Sequence, residues 1–278
     1  MMTLKRRGQY ASGGSHAESL IPLVLIVILA VFIAGKMGMV DLSSIPVAGS
    51  LFPKSNIKVL VVGHASPAME TMLKSEDYRM AGIMYAGSFP QEYIVPGVLK
   101  NFDIIILQGT QVCDRPARME IANRAKSGGK LIVVGDACTR VTDDPNAAGW
   151  DVGIGTLGDV IPVEYAGILF HESTGRTQVF ADGKFRIVQP YHPMFNGIIN
   201  YGFYGTLTSV RPSASSDVLA YVDTYGGKIT APATFAIVES KGFLSGKTLY
   251  FAFDPANMDI SSRNMFLNAL LYVRGAKG

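Results

Sequence analysis

Cysteine and histidine are scarce in this chain, with two and four copies in 278 residues. Cys113 and Cys138 can form at most one bridge with each other, and His16, His64, His171 and His192 lack the spacing to carboxylates or thiolates that builds a metal centre. No metal and no cofactor is therefore expected. A surplus of one charge is also missing: 25 Lys and Arg against 22 Asp and Glu leave +3, too even a balance for a nucleic-acid surface. No internal repeat or low-complexity array is present. Charge as a whole is thin, 17% of residues against roughly 25% in ordinary soluble domains. Part of that deficit comes from one segment near the N-terminus.

That segment runs from Leu20 to Gly35 without a charge, and after Lys36 the apolar character resumes from Met37 to Val40. Counted to Val40 it is long enough for the ~30 Å core of a bilayer at ~1.5 Å per residue, with Lys36 able to snorkel. We read residues 20–40 as one transmembrane helix in contact with the lipid bilayer. A cleaved signal peptide is the rival, but such apolar regions are usually shorter, and Ile33 and Gly35 make a poor small-x-small cleavage site. Lys5, Arg6 and Arg7 hold the N-terminus in the cytoplasm by the positive-inside rule, which puts everything after Val40 outside. The organisation is then a cytoplasmic tail over 1–19, the span over 20–40, a Pro- and Ser-containing linker over 41–56 and a folded domain over 57–275.

The folded domain is organised around residues 102–139. Phe102 to Gly109 and Gly128 to Gly135 are short apolar runs bounded by glycine, and a helical pattern separates them, as in a βαβ unit buried on both faces. Asp114 is the N-cap and Pro116 falls in the first turn. Met119, Ala122 and Ala125 share a face, Glu120 and Arg124 form an i,i+4 pair, and Gly128-Gly129 ends the helix. Earlier in the chain, Ile57 to Gly63 reads as a strand, Pro67 to Ser75 as a helix and Met80 to Tyr85 as a second strand. Later, Thr177 to Phe180 and Lys184 to Val188 flank Ala181-Asp182-Gly183, a hairpin signal. Strand-like runs follow at Phe203 to Val210, Val218 to Val222, Thr234 to Val238 and Thr248 to Phe253, and the chain closes on a helix from Ser261 to Arg274.

The succession Ile57-Lys-Val-Leu-Val-Val-Gly63, Phe102 to Gly109, Gly128 to Gly135, His192-Pro193, and Gly246 to Pro255 before Asn268-Ala269-Leu270 resembles the class I glutamine amidotransferase-like superfamily, especially its ThuA-like members. The resemblance spans residues 57–273. It implies an α/β fold, flavodoxin-like or amidotransferase-like, whose parallel sheet carries added antiparallel strands, here preceded by one transmembrane helix. At the other end, Arg6-Arg7-Gly8-Gln9 with Glu18 and the apolar helix resembles the class III leader of archaeal type IV pilin-like proteins, with a longer spacer after Gly8 than that pattern has. That second resemblance implies a filament subunit as an alternative.

Catalytic amidotransferases use a Cys on a strand-to-helix elbow, supported by His and Glu. The resemblance puts Cys138 and His192 in those places, but glycines do not flank Cys138, and Met194 stands where the Glu would follow Pro193. The resemblance is therefore to a catalytically degenerate member. Both cysteines fall in loops at the carboxyl edge of the sheet, where open α/β folds carry their sites. In an oxidising exterior they can bridge, closing a loop of about twenty-five residues worth ~3 kcal/mol, with two free thiols as the alternative. Gln111, Asp114, Asp136, Thr139, Arg140 and Trp150, from the same loops and the Gly-rich passage after them, are the candidate recognition residues. Trp150 also reads as ordinary core.

Three other patterns carry less. Gly153-Ile-Gly155-Thr-Leu-Gly158 matches GxGxxG with no strand leading into it, and Ser245-Gly246-Lys247-Thr248 imitates a Walker A ending but leads into a strand. Asp143-Asp144-Pro145-Asn146 offers oxygen ligands but is satisfied as a solvated turn. The sequence thus points to a membrane-anchored binding or assembly module, leaning away from an enzyme. Its partner would be another membrane or envelope protein or a second copy, not nucleic acid. A Cys138-dependent amidase or hydrolase and the pilin-like subunit are the alternatives.

Overall fold

The computed structural model describes residues 56–152, 156–166, 178–224, 234–240, 247–258 and 260–275. The tail, the apolar span and nearly all of the linker lie outside the described residues, as does the GlyGly pair at 226 and 227. Among the described residues, no helix is long and apolar enough to cross a membrane.

The first half supplies strands β1 (Ile57–Gly63), β2 (Ile83–Phe89), β3 (Ile104–Gln108), β4 (Val112–Cys113), β5 (Lys130–Val134), β6 (Arg140–Val141) and β7 (Asp144–Ala148). The second half adds β8 (Val163–Tyr165), β9 (Gln178–Ile187), β10 (Gly202–Thr208), β11 (Val210–Pro212), β12 (Ser216–Thr224), β13 (Thr234–Ser240) and β14 (Thr248–Phe251). Helices α1 (Pro67–Leu73), α2 (Glu76–Met80), α3 (Arg115–Lys126) and α4 (Ile260–Arg274) complete the described fold. Nine of these strands form one sheet in the order β10-β9-β12-β13-β14-β5-β3-β1-β2. From β14 to β2 every neighbour is parallel, and from β14 to β10 every neighbour is antiparallel. The fold class is therefore mixed α/β, a parallel sheet extended by antiparallel strands.

Burial explains the composition of the central strands. All five residues of β3 and all four of β14 are buried, because layers cover both faces of the sheet. Chain direction reverses between β1 and β3: β1 leads outward to β2, whereas β3 leads the other way to β5. Right-handed crossovers then put α1 and α2 on one face and α3 on the other. Tyr78 of α2 donates to the Arg263 carbonyl of α4 at 2.7 Å, so α4 shares the face of α2.

Helix α3 starts as read, with the Asp114 side chain accepting from the Ala117 N–H at 2.9 Å and Pro116 in the first turn. Its buried face is Ala117, Arg118, Ile121, Ala122 and Ala125, and Met119 is 45% exposed. The stripe runs through 118, 121, 122 and 125, which leaves 119 about 100° away at 3.6 residues per turn. The Glu120–Arg124 pair does not form: Glu120 accepts from the Gly97 N–H at 2.9 Å and Arg124 donates to the Phe102 carbonyl at 3.0 Å. Tertiary carbonyls and amides outcompete a weak surface ion pair.

Two further boundaries differ from expectation. The second strand starts at Ile83; Met80, expected as its first residue, instead ends α2, a separate short helix that the sequence pattern does not indicate. Ala181-Asp182-Gly183 is no hairpin. It lies within β9, paired to Gly205, Tyr204 and Phe203 of β10, and with ladders on both sides the local turn preference of Asp-Gly loses. The last helix buries Met265, Phe266, Ala269, Leu270 and Val273 and ends at Gly275, φ 95°, as the sequence indicates.

At the carboxyl edge β1 and β3 close on each other where the chain direction reverses. Gly63 (φ 105°) and Gly109 (φ 72°) are left-handed, the His64 N–H donates to the Gln108 carbonyl at 2.9 Å, and a methyl group at Gly109 would run into the His64 carbonyl. Gly97 is also left-handed, at φ 84°, but has open space around it. Gly109→Ala should therefore cost about 2–4 kcal/mol, strain plus backbone clash, and Gly97→Ala only about 1–2 kcal/mol. Denaturant midpoints of the two variants check the difference.

Candidate functional site

Past β3 and β5 the chain must turn without leaving buried backbone groups unpaired. The loop after β3 forms β4, which pairs with β6, and β6 pairs with β7 in a small separate sheet. Cys113 and Cys138 are disulfide-bonded across these loops, with Cα atoms 5.0 Å apart and both residues fully buried. Cys138 sits on an elbow after β5 with φ 56°, the one described non-glycine residue in the left-handed region, and its N–H donates to the Thr110 carbonyl at 2.7 Å.

Arg118 of α3 is wholly buried beneath the elbow. Its guanidinium donates to the Cys138 carbonyl at 3.1 Å, the Gly149 carbonyl at 3.1 Å and the Trp150 carbonyl at 2.8 Å. Burial lowers its pKa, and the charge of Asp151 pushes it back. Trp150, 1% exposed, donates its indole N–H to the Ala137 carbonyl at 2.8 Å. Four inward-facing carbonyls thus find donors on two side chains.

Beside this elbow the carboxyl edge opens into a cleft of about 440 Å³. Its floor is Gln108, the last residue of β3, with Gly109, and Gly135 and Asp136 after β5; Asp254 follows β14 on one side. The antiparallel extension makes the other wall. The Thr208 N–H at the end of β10 donates to the Ala252 carbonyl at 2.7 Å, and Phe253 packs edge-on against Phe203 of β10 at 5.4 Å, which brings Tyr204 and Phe180 to the rim. Asp254 accepts from Ser66 Oγ at 2.7 Å and Asn257 Nδ2 at 2.9 Å. Burial pushes the Tyr250 phenol well above its usual range, and the Asp136 charge adds to the effect.

The residues singled out from sequence separate accordingly. Asp136 lines the cleft and Gln111 donates to its carboxylate from outside. Asp114 caps α3, Thr139 is 1% exposed with its hydroxyl on the Asp136 carbonyl at 2.8 Å, Trp150 faces inward, and Arg140 is half-buried in β6. His192 stands elsewhere. Its Nδ1 accepts from the Met194 N–H at 3.3 Å and its Nε2 lies 3.3 Å from Glu239 Oε2. Glu239 pairs with Leu249, near the start of β14, so this group belongs to the amino edge and Cys138 to the carboxyl edge. Tyr272 joins it, donating to Glu239 at 2.8 Å, with its own pKa raised by burial and that bond.

No protein-family model and no curated protein matches this sequence. Solved structures do. A cytoplasmic protein of Salmonella typhimurium aligns at TM-score 0.56 with 17% identity over 78% of this chain and 98% of its own. A ThuA-like protein of Bacteroides uniformis aligns at 0.55, with 13% identity over 80% of this chain and 93% of its own. The fold is ThuA-like. A β-galactosidase of Rahnella also aligns, at 0.54 and 12% identity, but through 33% of its length against 81% of this chain. At such identities the likeness concerns fold alone.

Sequence reasoning missed Arg118, Gln108 and Asp254. Gln108 was visible as the one polar residue ending Ile-Ile-Ile-Leu-Gln-Gly, and Asp254 as the Asp-Pro after an apolar strand. Arg118 gave no signal, because one arginine on a charged helix looks like surface. Replacing both cysteines by serine should lower stability by about 3 kcal/mol. Arg118→Leu should cost at least as much, since it strips donors from three buried carbonyls at roughly 1–3 kcal/mol each. Because Arg118 bonds Cys138 itself, the combined variant should depart from additivity by about 1 kcal/mol or more in denaturant unfolding.

Proposed function

We propose that this chain is a single-pass membrane protein whose amidotransferase-like domain works outside the cytoplasm as a non-catalytic binding module, with the carboxyl-edge cleft as its recognition site. The observation that carries the reading is the Cys113–Cys138 bridge. The thiol in the nucleophile's place on the elbow is consumed by a buried disulfide, and a nucleophile must be a free thiolate. His192 engages Glu239 at the other edge of the sheet, so it is not the base for Cys138. A lasting disulfide also fits an oxidising compartment, which agrees with a domain displayed beyond residues 20–40. The elbow is retained as scaffold: it holds Asp136 at the mouth of the cleft and no longer performs acyl transfer. In this reading the partner is another envelope protein, a second copy or a small ligand.

Iodoacetamide labelling of the native, detergent-extracted protein without reductant, read by peptide mass spectrometry, tests it. The expected result is a linked, unlabelled Cys113–Cys138 peptide from a fraction that resists carbonate extraction. Rapid labelling of Cys138 well below pH 8.5, with lost turnover in Cys138→Ser, would instead favour the amidase. An N-terminus cut near Gly8 in a shearable filament would favour the pilin-like subunit.

A further inference from the structure

We propose that the carboxyl-edge cleft binds a small organic cation, a protonated amine or guanidinium, held by Asp136, Asp254 and the amide oxygen of Gln108. The proposal deepens the binding-module reading and rests on it.

Among the described residues lining the cleft, the full charges are Asp136 and Asp254, and no Lys or Arg stands with them. The side chains that hydrogen-bond them are neutral: the Gln111 amide for Asp136, and Ser66 and Asn257 for Asp254. Gln108 points to a ligand independently. It is 5% exposed, it lines the cleft, and its Oε1 has no hydrogen-bond partner. A buried acceptor left without a donor is costly, and an N–H group entering the cleft supplies that donor.

The rim suits the same chemistry. Phe180 and Tyr204 are 56% and 68% exposed, with ring centroids 4.8 Å apart in an edge-to-face pair. A ring face beside two carboxylates attracts a cation, an alkylammonium or the more weakly hydrated guanidinium, more readily than a neutral polyol. A bare metal ion fits less well, since the described residues contain no cluster of three metal-ligating side chains. A volume of about 440 Å³ is that of a small-molecule site.

Titration calorimetry of the full chain in detergent with arginine amide and butylammonium tests the proposal. Citrulline amide, the neutral analogue, and calcium chloride are the controls. Saturable binding of a cation is expected, at least tenfold weaker for citrulline amide, for Asp136→Asn and for Gln108→Leu, and weaker as salt rises. Asp136 is half-buried, so Asp136→Asn keeps the test readable should Gln108→Leu misfold. Equal binding of citrulline amide, unchanged affinity in Asp136→Asn, or calcium binding that displaces the amines overturns the proposal. A peptide with an internal arginine separates the two sources: tighter binding than arginine amide places the cation on a partner chain, weaker binding makes it a free metabolite, and either supports the cation. Hydrolysis of arginine amide would overturn the non-catalytic reading itself. No cation binding, with no turnover and a bridged cysteine pair, overturns this assignment alone.

Discussion

Because β3 and β14 are buried on both faces and β1 and β5 nearly so, the polar chemistry of the domain is displaced to the two edges of its sheet. An apolar strand in a sheet covered on both faces can satisfy its own backbone but can hold no charge on either side. Where the strands stop, unpaired peptide groups and the first polar side chains appear together. The carboxyl edge answers this with Arg118, the Trp150 indole and a small second sheet; the amino edge answers it with the His192, Glu239 and Tyr272 group. Each edge is a polar solution to one apolar problem.

The position of the cleft follows from how the chain spends its second half. An open parallel sheet ordinarily offers a crevice where chain direction reverses, and here that point lies between β1 and β3. Gly63 and Gly109 pinch it shut by direct backbone approach. The antiparallel extension then arches over the ends of β5 and β14, and the bond from Thr208 to Ala252 fixes it there. The opening is thereby moved to β3, β5 and β14, and its far wall comes from residues distant in sequence.

The central βαβ unit, the cap at Asp114 and the buried face of the last helix were legible because each rests on a local pattern: an apolar run, a side chain bonding its own helix, a 3.6-residue period. The bridge was legible once both cysteines fell at one edge, although its formation was left open against free thiols. What failed was non-local. Gly183 looked like a turn because the two strands that claim it come later in the chain, and Glu120 looked like half of an ion pair because Gly97 lies on another element. The nucleophile-like place of Cys138 was readable from the strand before it, but the distance of His192 required the register of β13 against β14. Arg118 shows the limit most clearly. Its role depends on three carbonyls from two separate segments, the elbow at Cys138 and the stretch Gly149-Trp150, that come together only in the fold.

The chain contains one tryptophan, and it lies at the elbow. Trp150 is bonded to Ala137, next to the disulfide, and meets the rings of Tyr165 and Tyr250 edge-on at 5.9 and 5.6 Å. The protein therefore carries an intrinsic optical probe at a single known position. Indole emission reports its surroundings without averaging over other sites, and the neighbouring bridge and phenols are its natural quenchers. A shift in colour or lifetime is then a message from the floor of the carboxyl edge, read without attaching any label to it.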